Sequence, residues 1–406
     1  MKYIEGGITA PKGFKAGGVN AGIKAGRTKN DLALIVSEKA CAAAGLFTRN
    51  RVKAAPVQLD IETVKKGSAK AIIANSGNAN ACAPNDMENA LKMQKLAADA
   101  LGIEQDEVLV GSTGVIGVEI NIGAIEKGLP SLIGCLSDEA SGSDEAAKAI
   151  MTTDTKKKEQ AVQFELNGKT VTLGGISKGS GMIHPNMGTM LCYLTTDCAV
   201  DSVTLKKVLK EVCDVTFNRI SVDGDTSTND SLIILANGMA ENEPVTENSE
   251  SYGIFKEALL AVCTDLARRM AADGEGAKHL ITCKVANCES EEKAELLSKS
   301  VIGSSLTKAA IFGCDANWGR VLCALGYSGA DFDPLKVDVD FVSSAGRISV
   351  CEKGKGLVFD EDKALEILKQ DEVIIEINMN EGKEEATCWG CDLTYDYVKI
   401  NGDYRT

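Results

Sequence analysis

The chain has 406 residues, 40 of them glycine and only 4% aromatic, and its hydrophobic share of 44% is ordinary for a globular protein. Lys and Arg total 44 against 58 Asp and Glu, a net charge of −14, which excludes a nucleic-acid backbone or an anionic membrane as main partner. With two histidines, His184 and His279, a histidine-rich zinc site is excluded too.

The length allows two or three domains or one large α/β body. In chain order, the pattern predicts a strand over Ala69–Ala74. Met93, Leu96, Ala97, Ala100 and Leu101 then fall on one helical face. A strand over Glu107–Val110 follows, and the serine-rich, acidic Ser137–Asp144 reads as a loop. Strands are expected over Lys169–Leu173 and Met190–Thr195, then a helix through Leu205, Val208, Leu209 and Val212. A strand over Ser231–Ala236 and a polar loop over Glu241–Ser251 precede a longer helix. That helix carries Phe255, Leu259, Val262, Cys263, Leu266 and Met270 and stops at Asp273-Gly274. Val337–Val342 and Glu372–Ile377 are the last strand candidates. Alternating strands and helices place the chain in the α/β or α+β class. No run approaches the ~20 apolar residues of a membrane span. The start lacks the layout of a signal peptide, so the expected location is cytoplasmic. In that compartment the 14 cysteines are expected to be free and buried.

Three glycine- or cysteine-containing motifs point away from their usual chemistry. Gly174-Gly175-Ile176-Ser177-Lys178-Gly179-Ser180-Gly181 has the composition of a phosphate loop, but its lysine precedes the last glycine. Cys388-Trp389-Gly390-Cys391 runs into Asp392–Tyr395, which alternates like a strand, whereas a redox pair belongs at a helix N-terminus. The oxygen-rich stretch Asp223–Asp230 lacks the glycine and distant glutamate of an EF-hand and reads as a hydrogen-bonded loop.

Three other segments fit one another. In Lys178–Tyr193 a glycine run and a proline lead to Gly188-Thr189 at the head of an apolar strand. Such a threonine can attack the preceding carbonyl, and hydrolysis of the resulting ester frees an N-terminal Thr189. Its amine, with a reference pKa of about 7.7–8.0, then serves as base for its own hydroxyl. A plain glycine loop before a core strand accounts for the same residues. Gly111-Ser112-Thr113-Gly114 turns at a strand end as an oxyanion hole requires. Asp273–Lys278 places Glu275 between glycines just past a helix end.

These residues resemble the ornithine acetyltransferase family, the glutamate N-acetyltransferases of arginine biosynthesis. The likeness covers essentially the whole chain. It runs through Pro11–Phe14, Ala74–Cys82, Ser112–Gly117, Thr152–Thr155, Lys178–Leu191, Val222–Asp230, Asp273–Ala277, Asp315–Arg320 and Trp389–Thr406. The resemblance implies an αββα sandwich like that of N-terminal-nucleophile hydrolases, though with a different topology. It implies self-cleavage between Gly188 and Thr189, where the family usually has alanine before the threonine. Chains 1–188 and 189–406 then assemble as a heterotetramer of two copies of each. It further implies Thr189 as nucleophile and Thr113 with Gly114 as oxyanion hole. Thr152 (beside the identical Thr153), Lys178, Thr189, Glu275, Asn401 and Thr406 are the implied substrate-binding residues. The implied reaction moves an acetyl group from N2-acetylornithine to L-glutamate through acetyl-Thr189. Neither metal nor organic cofactor is called for, and acetyl-CoA is a second donor in some members. A self-processing aminopeptidase or amidase, an uncleaved amino-acid sensor, and a redox or metal protein through Cys388 and Cys391 are the rival readings.

Overall fold

The computed structural model describes residues 1–24, 26, 28–184 and 190–403. Gly188, Thr189 and Thr406 lie outside the described residues. The chain divides into two compact units. The larger takes Met1–Gly179, Pro185–Asn218 and Thr226–Leu266, and the smaller takes Ser180–His184, Arg219–Asp225 and Ala267–Thr406. The expected α/β class is observed, because each unit is a sheet with helices packed on it.

The larger unit begins with β1 (Lys2–Ile4), β2 (Phe14–Val19) and the long β3 (Leu32–Phe47). Then come α1 (Ala55–Thr63), β4 (Ser68–Asn75), α2 (Asp86–Leu101), β5 (Val108–Ser112), α3 (Ile122–Gly134) and α4 (Ala140–Ala149). The hairpin β6 (Lys158–Leu166) and β7 (Lys169–Lys178) leads to β8 (Leu191–Thr196) and α5 (Ser202–Val215). The two-residue β9 (Ile220–Ser221) belongs to the smaller unit, and β10 (Ser231–Ala236) returns to the larger. The order is β1-β6-β7-β8-β10-β3-β4-β5, with β2 also on β3; only β8–β10 and β4–β5 run parallel. Leu32, Leu34 and Ile73 enter one apolar cluster with α2 and α3, while Ala33, Ile35 and Ile72 enter another with α4. Both faces of these strands are therefore covered, which explains their nearly continuous apolar runs.

Helix α6 (Glu250–Ala272) buries all six residues that the sequence pattern assigns to its apolar face. The smaller unit continues with β11 (Leu280–Cys288), α7 (Glu291–Gly303), α8 (Ser305–Phe312) and α9 (Trp318–Gly326). After β12 (Asp338–Ser343), β13 (Gly346–Glu352) and β14 (Lys355–Gly356) come α10 (Glu361–Leu368), β15 (Glu372–Asn378), β16 (Glu384–Cys391) and α11 (Tyr395–Gly402). Its sheet runs β14-β13-β12-β15-β11-β16-β9. Alternate residues of β15 are buried, so one face carries Val373, Ile375 and Ile377 into a core shared with α7 and α10. Among the described residues no helix is long and apolar enough to cross a membrane.

Four sequence expectations need correction. Residues 140–144 of the expected loop open α4. Gly142 and Gly18 leave no room for a side chain: a Cβ at the first would strike Ala16 O, and at the second Glu145 O. The small residues thus let α4 lie close on β2, and composition alone mistakes them for loop residues. Glu250 and Ser251, taken as loop, form the first turn of α6. Cys388 and Cys391 lie within β16, and Asp392–Thr394 is the non-strand link into α11. All 14 cysteines are free as expected, but Cys82, Cys135 and Cys323 are exposed rather than buried.

Candidate functional site

The turn after β5 is built on the segment that follows β4. Thr113 N–H donates to Asn75 O at 3.0 Å and Val115 N–H to Gly77 O at 3.4 Å. Behind them, Ser112 Oγ donates to Asn75 Oδ1 at 2.7 Å, and Asn75 Nδ2 donates to Asn78 O at 2.9 Å. Gly114 has φ +135°, and a Cβ there would run into the Gly77 carbonyl, so only glycine fits. Asn229, at the head of β10, donates from Nδ2 to Ala79 O at 2.6 Å and to Ser112 O at 2.9 Å. This asparagine lies in the stretch read as a hydrogen-bonded loop, and it is one of the props of the turn.

Lys178 ends β7, opposite Leu191 of β8, and is buried. Its Nζ lies 3.4 Å from Thr113 Oγ1. The glycines ahead of it are strand and not loop, because Gly174 packs on Gly7 O and Gly175 on Leu194. Thr152 lies in the link between α4 and β6, where its N–H donates to Asp154 Oδ2 at 3.1 Å. The larger unit therefore brings Thr113 together with Lys178.

In the smaller unit Glu275 is buried, its N–H donating to Ser180 O at 2.8 Å. Asn401 of α11 donates from Nδ2 to Glu275 Oε2 at 2.7 Å. Gly181 allows this: a Cβ there would overlap the Glu275 carboxylate. Thr394 caps α11 and donates its hydroxyl to Gly276 O at 2.7 Å, which ties the last helix to the glutamate's loop. Asp392 adds a second tie, accepting from Lys278 N–H at 2.8 Å and His279 N–H at 3.1 Å. Its other oxygen pairs with His279 Nδ1 at 2.9 Å.

The run after Lys178 is tied down as far as His184. Asp223 accepts from Met182 N–H at 2.6 Å and Ile183 N–H at 2.9 Å, and Val222 N–H donates to Ile183 O at 2.7 Å. His184 Nδ1 meets Ser221 Oγ at 3.0 Å, and burial lowers its imidazole pKa. Burial pushes the Cys388 and Cys391 thiols up to about 11, the reverse of a redox pair.

Residues 15–406 match the model of the ArgJ family. The chain belongs to the ArgJ family. It is 52% identical to the arginine biosynthesis bifunctional protein ArgJ of Caldanaerobacter subterraneus subsp. tengcongensis over the full length of both chains. It is 48% identical to the glutamate N-acetyltransferase of Methanocaldococcus jannaschii, again over the full length of both. Among solved structures, the arginine biosynthesis bifunctional protein ArgJ of Bacillus halodurans aligns with a TM-score of 0.50 at 42% identity. That alignment covers 52% of this chain and 97% of the other. Membership in the ArgJ family bears out the resemblance drawn from the sequence motifs.

Proposed function

We propose that this chain is a self-processing acetyltransferase of arginine biosynthesis, moving acetyl from N2-acetylornithine to L-glutamate. The observation that carries the reading is full-length identity near one half to the family's bifunctional proteins and to a glutamate N-acetyltransferase. The Lys178–Thr113 pairing beside a glycine-only turn supports it locally.

Processing begins when Thr189 Oγ attacks the Gly188 carbonyl carbon. The peptide C–N bond breaks, an ester forms, and water hydrolyses it to leave an N-terminal Thr189. The two chains, 1–188 and 189–406, stay together: β7 and β8 lie on either side of the junction and are paired over six residues. That a solved relative's chain matches about half of this one also supports a two-chain mature protein. We extend the reading to a heterotetramer of two copies of each chain, working in the cytoplasm.

In the first half-reaction Thr189 Oγ attacks the acetyl carbonyl while its own α-amine takes the hydroxyl proton. The Thr113 hydroxyl and the Gly114 N–H stabilise the oxyanion; losing one such donor costs about 10²–10³ in rate. The proton passes to the departing amine, ornithine leaves, and an acetyl ester remains on Thr189. In the second half-reaction glutamate's neutral amine attacks the ester carbonyl, the acyl C–O bond to Thr189 breaks, N-acetylglutamate leaves, and the amine's proton passes through the Thr189 α-amine back to Thr189 Oγ. Donor and acceptor are both α-amino acids, so the same groups serve both: Lys178 for the carboxylate, Glu275 for a cationic amine, with Thr152, Asn401 and Thr406 completing recognition. The chemistry calls for no cofactor, and acetyl-CoA is an alternative donor to be tested directly.

The test is an intact mass spectrum of denatured wild type beside Thr189→Ala, together with an acetyl-transfer assay. Two species summing to the chain plus one water, lost in the variant along with transfer, are expected. A single uncleaved wild-type species, or acetate release without transfer to glutamate, defeats the reading.

A further inference from the structure

Asp154 and Lys158 form an ion pair whose side chains are 0% and 1% exposed. Asp154 Oδ1 accepts from Lys158 Nζ and from Gly179 N–H, each at 2.7 Å. Oδ2 accepts from Thr152 N–H at 3.1 Å. One carboxylate therefore gathers an ammonium and two backbone donors from three separate points of the chain.

Its place in the fold gives this arrangement meaning. β6 and β7 are antiparallel, and Lys158 stands opposite Ser177 at the open end of their hairpin. Lys178 is then fixed from both sides, by the sheet at Ser177 and by Asp154 at Gly179. The same carboxylate sets the backbone of Thr152. A buried ion pair seldom outperforms well-packed apolar residues in stability. What apolar residues cannot do here is accept two main-chain N–H bonds in a fixed geometry. Burial acts to raise the Asp154 carboxyl pKa, but the charges of Lys178 and Lys158 and the bonds from Lys158 and Gly179 outweigh it, holding the group at about 2. The clamp thus stays charged across the range in which the amino groups of the substrates titrate.

We propose that Asp154 is the positioning residue that sets Thr152 and Lys178 for the amino-acid substrate. This rests on the acetyltransferase reading above. Lys158 supplies the charge that keeps Asp154 an acceptor on both oxygens, and neither residue touches the reacting atoms.

The experiment compares processed wild type with Asp154→Asn, Asp154→Asn/Lys158→Met and Asp154→Glu. It reads the thermal midpoint, with kcat and KM for glutamate and N2-acetylornithine. Asp154→Asn is expected to raise both KM values about tenfold and to lower kcat/KM by up to about 10²-fold. The double variant should regain the thermal midpoint while keeping the raised KM. Asp154→Glu keeps both charges and changes only reach, so it should fold and still show the raised KM. Wild-type KM in Asp154→Glu, or a KM that recovers with the midpoint in the double variant, overturns the proposal. Wild type that transfers no acetyl group defeats the functional reading instead. Amide hydrogen exchange then decides the clamp: Thr152 and Gly179 should both be protected in wild type, and Asp154→Asn, which keeps a single acceptor oxygen, should release at least one of them. Unchanged protection of both amides in Asp154→Asn overturns it.

Discussion

Asp154 and Asp60 are both sealed inside the larger unit, yet their carboxyl pKa values move in opposite directions. Asp154 has an ammonium at 2.7 Å and a carboxyl held at about 2. Asp60, on α1, accepts from Val110 N–H at 2.9 Å through Oδ1, and its Oδ2 has no hydrogen-bond partner among the described residues. There burial pushes the carboxyl well above its usual range, with only the Val110 bond opposing. Val110 lies on β5, the edge strand of the sheet, and Asp60 satisfies a main-chain donor that no neighbouring strand takes. The difference teaches that the neighbouring ammonium groups of Lys178 and Lys158, and not depth, set the direction in which a buried carboxyl shifts. One aspartate, held low, accepts from the Thr152 and Gly179 main chain; the other, pushed up, accepts from Val110 at a sheet edge.

The largest expected effect separates the two directly. Asp154→Asn removes the carboxylate that pairs with the buried Lys158 ammonium and should cost about 3–5 kcal/mol. Asp60→Asn keeps the shape and the acceptor for Val110 and should cost less than about 1 kcal/mol. Urea unfolding of both variants measures this, and equal losses break the comparison.

A second, smaller effect lies in the pH dependence. The folded pKa of Asp154 is depressed from the ordinary carboxyl value of 3.8 to about 2. Its contribution is complete above the unfolded pKa and is lost as pH falls from about 4 to about 2, amounting to roughly 2 kcal/mol. Asp60 has the opposite sign. Its raised pKa gives stability that is complete below about pH 4 and is lost as pH rises through the folded value. Stability measured against pH should therefore lose its steep acid arm in Asp154→Asn. In Asp60→Asn it should become less sensitive to rising pH. The same arm lost in both variants would mean that the two carboxyls do not differ as the structure indicates.

How far the sequence reveals these features depends on how local they are. The apolar faces of α5 and α6 can be read because burying one side of a helix imposes its period on neighbouring residues. The strand over Ser231–Ala236 is found with its observed limits for a similar reason. Residues 140–144 mislead because close packing selects the same small residues that a loop does. Thr113, Gly114, Lys178, Glu275 and Asn401 enter through family motifs, and the pairing of Lys178 with Thr113 spans 65 residues of chain. Asp154 and Asp223 fall inside family motifs, but their roles are invisible to pattern, since Gly179 lies 25 residues from the first and Met182 41 from the second. The Asp154–Lys158 spacing is readable, but four residues apart suggests a surface pair on a helix, not a buried pair at a strand start.

The smallest effect is expected at Tyr193, the fully buried tyrosine of β8, and it tests the Asp60 side of the comparison. Its hydroxyl has no hydrogen-bond partner among the described residues, and it fills the space where a side chain at position 111 would stand, which is why β5 carries Gly111. Burial and the nearby Asp60 both push its phenol pKa up, so the ring stays neutral. Tyr193→Phe removes a buried polar atom that makes no bond and leaves the ring packing in place. Stability should change by less than about 1 kcal/mol, toward stabilisation, with KM for both amino acids unaltered. Unfolding curves and acetyl-transfer kinetics on the same sample report both quantities. A loss above that size would show that the hydroxyl and the Asp60 acid hold one another in solution. Asp60 would then belong to a polar network as Asp154 does, and the two buried carboxyls would no longer be distinguished by the isolation of one.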